Sequence, residues 1–258
     1  QTGERTAVID GHDVEVDIPR PKVEVDSLAF SPDGRTLVAG FRDAVITVWN
    51  TASQVLIRSW VTKTKPDQQF KGWGLKGITP NPVEVRNWSS TLALSHDGHV
   101  AVALADHYAN VGRWEVETGK LIGRFEGYDS YPRLLGFSTD GTRFATLSRV
   151  VRVWDTATTE IIAEMQYDNG GSAAALSPNG KYVAITHADR RITVWEVDTA
   201  TVKHVLPGAI WGGSWYWTVT FSPDSRLVAA VTYSPIIRVW EVETGELIAE
   251  LNHWGDGL

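Results

Sequence analysis

The sequence predicts an all-β chain in which one four-stranded antiparallel unit is repeated, and three observations carry that reading. A Ser-x-Asp-Gly type of turn recurs five times, a Trp followed by Asp, Glu or Asn recurs five times, and the segments between them are short runs rich in β-branched residues. The turns are Ser31-Pro32-Asp33-Gly34, Ser95-His96-Asp97-Gly98, Ser138-Thr139-Asp140-Gly141, Ser177-Pro178-Asn179-Gly180 and Ser222-Pro223-Asp224-Ser225; only the last lacks its Gly. The closing pairs are Trp49-Asn50, Trp114-Glu115, Trp154-Asp155, Trp195-Glu196 and Trp240-Glu241, so successive Trp residues lie 65, 40, 41 and 45 apart.

Each element of the unit has a physical reason. In Val25-Asp26-Ser27-Leu28-Ala29-Phe30 the apolar residues fall mostly in period-two or boundary positions, as a strand buried between neighbours requires. The turn follows because Pro presets φ at its first central position, Asp or Asn bonds the local backbone, and Gly takes the left-handed site without steric cost. Thr36–Gly40 and Ile46–Trp49 are too short for buried helices and rich in β-branched side chains, so both are read as strands. A second turn follows each Trp pair, as in Glu117-Thr118-Gly119 and Glu243-Thr244-Gly245. The strands after it, at 121–125 and 246–251, mix charged with apolar residues, the pattern of an outer, half-solvated strand.

Composition agrees with one large all-β domain. The chain has 258 residues, 43% of them hydrophobic, with 23 Gly, 11 Pro and 12 Trp but a single Met and no Cys. Many turns and rigid bulky core fillers are implied, and neither a disulfide framework nor a thiolate metal site can form. The net charge of −7 makes the long-range field repel phosphate backbones and anionic lipid, so neither nucleic acid nor a membrane is expected as partner. No apolar run of eighteen residues is present, and no targeting segment is seen at the start of the chain.

Four short antiparallel strands per repeat, a period near forty and a closing Trp-acid pair resemble the WD-repeat family of β-propellers. The resemblance spans nearly the whole chain, with repeats at about 23–60, 89–127, 132–166, 172–206 and 215–251 and insertions at 61–88 and 207–217. It implies a structural role for Trp49, Trp114, Trp154, Trp195 and Trp240, each joined in a buried hydrogen-bond network by a Gly-His pair and a turn Asp. Gly11-His12 matches the first element; Asp43 and Asp189, with Asp106 in a shifted loop, match the second. Ser148 and Ser234 replace the Asp in two repeats, and Gly127-Tyr128 replaces Gly-His, so most blades are expected to rely on apolar packing and sheet ladders instead.

Residues 2–12 align without gaps to 118–128 and read as an outer strand with no inner strands before it, so 1–12 is assigned to an incomplete blade. The fifth repeat already owns an outer strand. A six- or seven-bladed ring, part of a longer chain, is therefore expected; a closed five-bladed ring is the alternative, and it requires the first and last blades to touch.

No catalytic constellation converges. Gly72-Trp73-Gly74-Leu75-Lys76-Gly77 satisfies Gly-x-Gly-x-x-Gly but lacks the strand and helix a dinucleotide site needs. His96 and His99 flank an exposed turn whose sister repeats carry Pro or Thr, so zinc is not expected there. Acidic pairs such as Glu241 and Glu243 belong to the repeated turn, and there is no nucleophile elbow or phosphate loop. Asn87-Trp88-Ser89 is a glycosylation sequon. Neither a cofactor nor a metal is expected, and the chain is read as not an enzyme.

Aromatic residues beyond the repeat set fall mostly in connections from an outer strand to the next inner strand, which share one face. The insertion at 61–88 sets Lys63, Lys65, Lys71, Lys76 and Arg86 against Asp67 and Glu84, and 207–217 is uncharged and rich in Trp, Gly and Ser. Rigid aromatics bury area at low entropy cost, which suits a contact surface. The expected surface comprises Phe41, Trp73, Tyr108, Arg133, Arg149, His187, Trp211, Trp215, Trp217 and Tyr233. The leading functional reading is a non-catalytic scaffold for other proteins or for further domains of the same parent chain. Two alternatives are a sensor or docking module of a larger multidomain enzyme or signalling protein, and small-molecule or sugar binding through the Trp-rich insertions.

Overall fold

The computed structural model describes residues 25–31, 33–41, 45–62, 92–105, 110–128, 130, 132–166, 173–187, 189, 191–207, 218–231 and 236–252. Those residues form five four-stranded antiparallel sheets, each built from strands consecutive in the chain. The first blade holds β1 (Val25–Phe30), β2 (Thr36–Phe41), β3 (Val45–Asn50) and β4 (Val55–Val61). The second holds β5 (Leu92–Leu94), β6 (Val100–Ala105), β7 (Asn110–Glu115) and β8 (Leu121–Phe125), and the third β9 (Arg133–Phe137), β10 (Arg143–Leu147), β11 (Val150–Asp155) and β12 (Ile161–Gln166). The fourth holds β13 (Ala174–Leu176), β14 (Tyr182–Thr186), β15 (Ile192–Glu196) and β16 (Thr201–Leu206). The fifth holds β17 (Thr218–Phe221), β18 (Leu227–Val231), β19 (Ile236–Glu241) and β20 (Leu247–Asn252).

Alternation along the two middle strands decides how blades pack. In the fourth blade Val183 and Trp195, paired across β14 and β15, face the third blade, while Ala184 and Val194 face the fifth. The same period-two logic sorts every blade, so the core is a series of apolar layers between sheets. Val38, Ile46 and Val48 meet Ala101, Ala103 and Trp114 in one layer. In the next, Phe125, Phe144 and Trp154 meet, with Phe125 5.1 Å from Phe144 and edge-on to Trp154 at 5.4 Å. Each repeat Trp from the second onward thus packs on the blade before it. Outer strands stay half-wet, with Ile122, Ile161, Val202 and Ile248 exposed.

The recurrent turn closes in a fixed way. In each of the five, the Ser hydroxyl donates to the Asp or Asn two residues on and accepts the amide N–H five residues on, as in Ser138 with Asp140 (2.5 Å) and Arg143 (3.0 Å). Gly34, Gly98, Gly141 and Gly180 take the left-handed φ this turn requires, and Ser225 takes it in the fifth repeat at φ 62°.

Successive innermost strands abut in the order β1, β5, β9, β13, β17. β1 and β17 do not abut in this way, so the direct packing of first and fifth blades that a closed five-bladed ring requires is not seen among the described residues.

Candidate functional site

Antiparallel order gives the assembly two chemically different ends. The Ser-Asp turns and the turns after each Trp pair lie at one end; the turns between second and third strands, and the connections to the next blade, lie at the other.

At the first end, the Ser-Asp turns are hydrogen-bonded within themselves, while the Arg35 and Arg226 side chains beside them remain exposed. The turn carboxylates of Asp33, Asp97, Asp140 and Asp224 sit below their ordinary range, first because a Ser hydroxyl donates to each. The turns after the Trp pairs close similarly: Asp155 accepts the backbone N–H groups of Thr158 (2.8 Å) and Ala157 (2.9 Å), and its carboxyl is held down first by the Thr158 bond. Neighbouring blades are also tied here. Arg113 donates to the Ala157 carbonyl (3.2 Å), Arg143 to the Gly180 carbonyl (2.8 Å) and the Asp198 carboxylate (2.5 Å), and Tyr182 to Glu243 (2.6 Å).

The other end carries exposed charge as well. The tight turn at Ser148 and Arg149, closed by a Ser148 N–H to Val150 carbonyl bond of 2.9 Å, leaves Arg149 exposed. Asp189 and Arg191 are exposed in the equivalent turn of the fourth blade and form an ion pair with each other. Phe41, at the end of β2, and Arg133, at the start of β9, are half-buried. These positions lie at the same end of their sheets.

Two expectations are corrected. His187 does not point outward; it is 6% exposed, with Nε2 hydrogen-bonded to Thr193 Oγ1 at 2.7 Å. Burial next to a hydroxyl gives the ring a polar partner that water would otherwise supply. Asp189 is not part of a buried network around Trp195, because an Arg two residues on draws it into the solvent-side pair. The indole N–H of Trp195 donates instead to Thr193 (2.8 Å), so His187, Thr193 and Trp195 make up the network.

Thr residues were the overlooked polar partners. Trp49 donates to Thr47 (2.8 Å) and Trp154 to Thr146 (2.9 Å). A signal was present, since Thr47 and Thr193 each precede their Trp by two residues and so share its face. Gly112 holds that position in the second blade and Trp114 lies over it: an added Cβ would come within 2.1 Å of the ring. In the third blade Arg152 holds it, 9% exposed, donating to Glu164 (2.8 Å) and the Gly127 carbonyl (2.5 Å) and lying 5.8 Å over the Tyr128 ring. Burial pushes the Tyr128 hydroxyl well above its ordinary pKa, and the ring packs on Trp154 at 5.6 Å.

Trp73, Tyr108, Trp211, Trp215, Trp217 and Tyr233, together with His12, Asp43 and Asp106, lie outside the described residues, as do residues 63–91 and 208–217 of the two insertions. Among the described residues, no group of three or more His, Asp or Glu could hold a metal ion.

Repeated four-stranded blades with interblade cores and an indole-bearing third strand define a β-propeller. The family model described as WD domain, G-beta repeat matches residues 3–50 and 201–241, which with the fold supports a WD-repeat β-propeller. It is 25% identical over 236 residues to apoptotic protease-activating factor 1 of Rattus norvegicus, spanning 87% of this chain and 17% of that protein. It is 30% identical over 148 residues to autophagy-related protein 16 of Arabidopsis thaliana, spanning 54% of this chain and 29% of that protein. A chain in the crystal structure of the mitotic checkpoint complex matches with a TM-score of 0.66 at 17% identity, over 90% of this chain and 66% of that one. The chain spans less than a third of the length of these two relatives.

Proposed function

We propose that this chain is a non-catalytic protein-interaction scaffold whose partner binds the end built from the second-to-third-strand turns and the inter-blade connections. WD-repeat propellers generally mediate protein association. The observation that carries the choice of end is the set of aromatic residues beyond the repeat: Trp73, Trp211, Trp215 and Trp217 fall in the segments that join one blade to the next, and the described strands those segments follow, β4 and β16, run toward this end. Aromatic residues of this kind are enriched at the centres of recognition surfaces.

A partner identified by affinity capture and mass spectrometry tests the reading. Arg149→Glu and Trp217→Ala should each weaken its capture without changing the unfolding temperature, while Lys120→Glu at the far end should not. Loss of capture with Lys120→Glu and none with the other two would place the surface at the wrong end.

A second reading, a docking module of a larger multidomain protein, is favoured by the fact that the similar region makes up only 17% and 29% of the two relatives. Such a module would use the same end, with its partner supplied by the parent chain.

A further inference from the structure

Among the five recurrent turns the fourth alone pairs Asn with Gly, at Asn179-Gly180; the others carry Asp in place of the Asn. An Asn followed by Gly has a chemistry of its own. With no side chain to shield it, the Gly amide nitrogen reaches the Asn carboxamide carbon more readily than that of any bulkier residue. In this turn both reacting groups are held. The Gly180 N–H donates to the Ser177 carbonyl at 2.8 Å, and Asn179 Oδ1 accepts the Ser177 hydroxyl at 2.8 Å and the Lys181 N–H at 3.0 Å. Neighbouring blades clamp the turn from both sides. From the third blade, Thr139 donates its N–H to the Pro178 carbonyl at 2.7 Å and Arg143 donates to the Gly180 carbonyl at 2.8 Å. On the side of the fifth blade, the Asn179 N–H donates to Ser225 Oγ at 3.0 Å. The fold requires the unshielded residue, since Gly180 has a φ of 71° and an added Cβ would lie 2.9 Å from Arg143 Cδ and 3.1 Å from Ser138 Cβ. Asn179 itself is exposed to water.

We propose that Asn179 is a deamidation site gated by the fold: closed while the turn is clamped, it reacts when the fourth-blade turn opens. In the opened turn hydroxide takes the Gly180 N–H proton and the nitrogen bonds to Asn179 Cγ. The Cγ–Nδ2 bond breaks, and the leaving nitrogen takes a proton from water and departs as ammonia, which leaves a cyclic imide and regenerates hydroxide. Water then opens the ring at one of its two C–N bonds. Overall, a carboxamide and water become a carboxylate and ammonium. Opening at Cγ restores the normal backbone with Asp at 179; opening at the residue's own backbone carbonyl leaves isoaspartate, whose backbone runs through the former side chain. The two products fit differently. Aspartate rebuilds the turn, because the four sister turns hold Asp bonded in the same way by Ser31, Ser95, Ser138 and Ser222. Isoaspartate lengthens the backbone by one methylene between Ser177 and the Gly180 and Lys181 N–H groups, so the turn cannot close as before. Opening of the fourth blade is thereby recorded as a covalent change that hinders its reclosure.

The wild-type chain, incubated at mildly alkaline pH either folded or unfolded in guanidinium chloride, tests this, with conversion followed residue by residue by tandem mass spectrometry. Conversion at 179 should be at least about tenfold slower in the folded chain, because the turn must open first. Asn169-Gly170, the second Asn-Gly pair of the sequence, is the reference in the unfolded chain, where the two sites should convert at similar rates. Ser225→Gly removes the bond to the Asn179 N–H and should speed conversion at 179 in the folded chain alone. Asn179→Asp should melt at or above the wild-type temperature, whereas chain carrying isoaspartate at 179 should melt below it. Equal rates at 179 in folded and unfolded chain, or a folded rate unmoved by Ser225→Gly, would overturn the gate. An Asn179 that stays intact in the unfolded chain while Asn169 converts would overturn the site, and isoaspartate-bearing chain that melts like the wild type would overturn the effect on reclosure.

Discussion

The Tyr182 hydroxyl donates to Glu243 Oε1 at 2.6 Å across the junction of the fourth and fifth blades, and Lys203 Nζ holds the other carboxylate oxygen at 3.0 Å. The bond shifts both partners. Tyr182 is pushed up to about 12, first by this bond and then by burial, and Glu243 is held below its ordinary value, first by Tyr182 and then by Lys203.

Linkage makes this junction sensitive to pH at both extremes. Tyr182 contributes stability that is fully present below its ordinary value of 10 and is lost as pH rises toward about 12. Glu243 contributes stability that is present above its ordinary 4.5 and is lost as pH falls through its lowered value. Tyr182→Phe should lower stability by about 1 kcal/mol at neutral pH, a modest figure because the carboxylate is largely solvated, and should flatten the loss at both extremes. Urea denaturation from acid to alkaline pH measures it; an unchanged alkaline limb would count against the assignment.

Acid should also loosen the recurrent turns. Their four Asp carboxylates are held down chiefly by Ser hydroxyls, so their stabilisation is present above the ordinary 3.8 and lost as pH falls below it. Ser138→Ala removes both the bond to Asp140 and the acceptor for the Arg143 N–H in a site 1% exposed. A loss of about 1–2 kcal/mol is expected, with an acid unfolding midpoint moved to higher pH.

The fifth turn separates two effects that coincide elsewhere. Ser225 adopts a left-handed φ that Gly takes without cost, yet its buried hydroxyl accepts the Asn179 N–H at 3.0 Å across the blade junction. Ser225→Ala loses the bond and keeps the strain, so it should cost about 1–2 kcal/mol. Ser225→Gly loses the bond and relieves about 1 kcal/mol of strain, leaving stability nearly unchanged. Thermal unfolding of the pair decides, and equal losses would remove the strain from the account.

Gly112 is required by its neighbour rather than by its own backbone. A Cβ there would overlap the Trp114 ring at 2.1 to 2.6 Å, and that ring is packed into the layer between the first two blades. Gly112→Ala should destabilise by about 1–3 kcal/mol and shift tryptophan emission as the ring is displaced. Thermal melts with fluorescence readout test both.

What the sequence determined by itself was the repeat. Turn chemistry is local: Ser, Asp and Gly at 138, 140 and 141 carry their own hydrogen bonds and φ preference, and strand alternation follows from the period of two. Each blade was therefore legible residue by residue. Partner choice for side chains was not. Asp189 stands at the right distance from Trp195 for a buried network, but the nearby Arg191 guanidinium takes the carboxylate, and His187 turns inward to Thr193. Nor could the sequence show that Ile192 is sealed while its counterpart Ile237 is open, because the two have the same local pattern. Burial between blades depends on which surface arrives from elsewhere in the chain, so only the tertiary structure decides it.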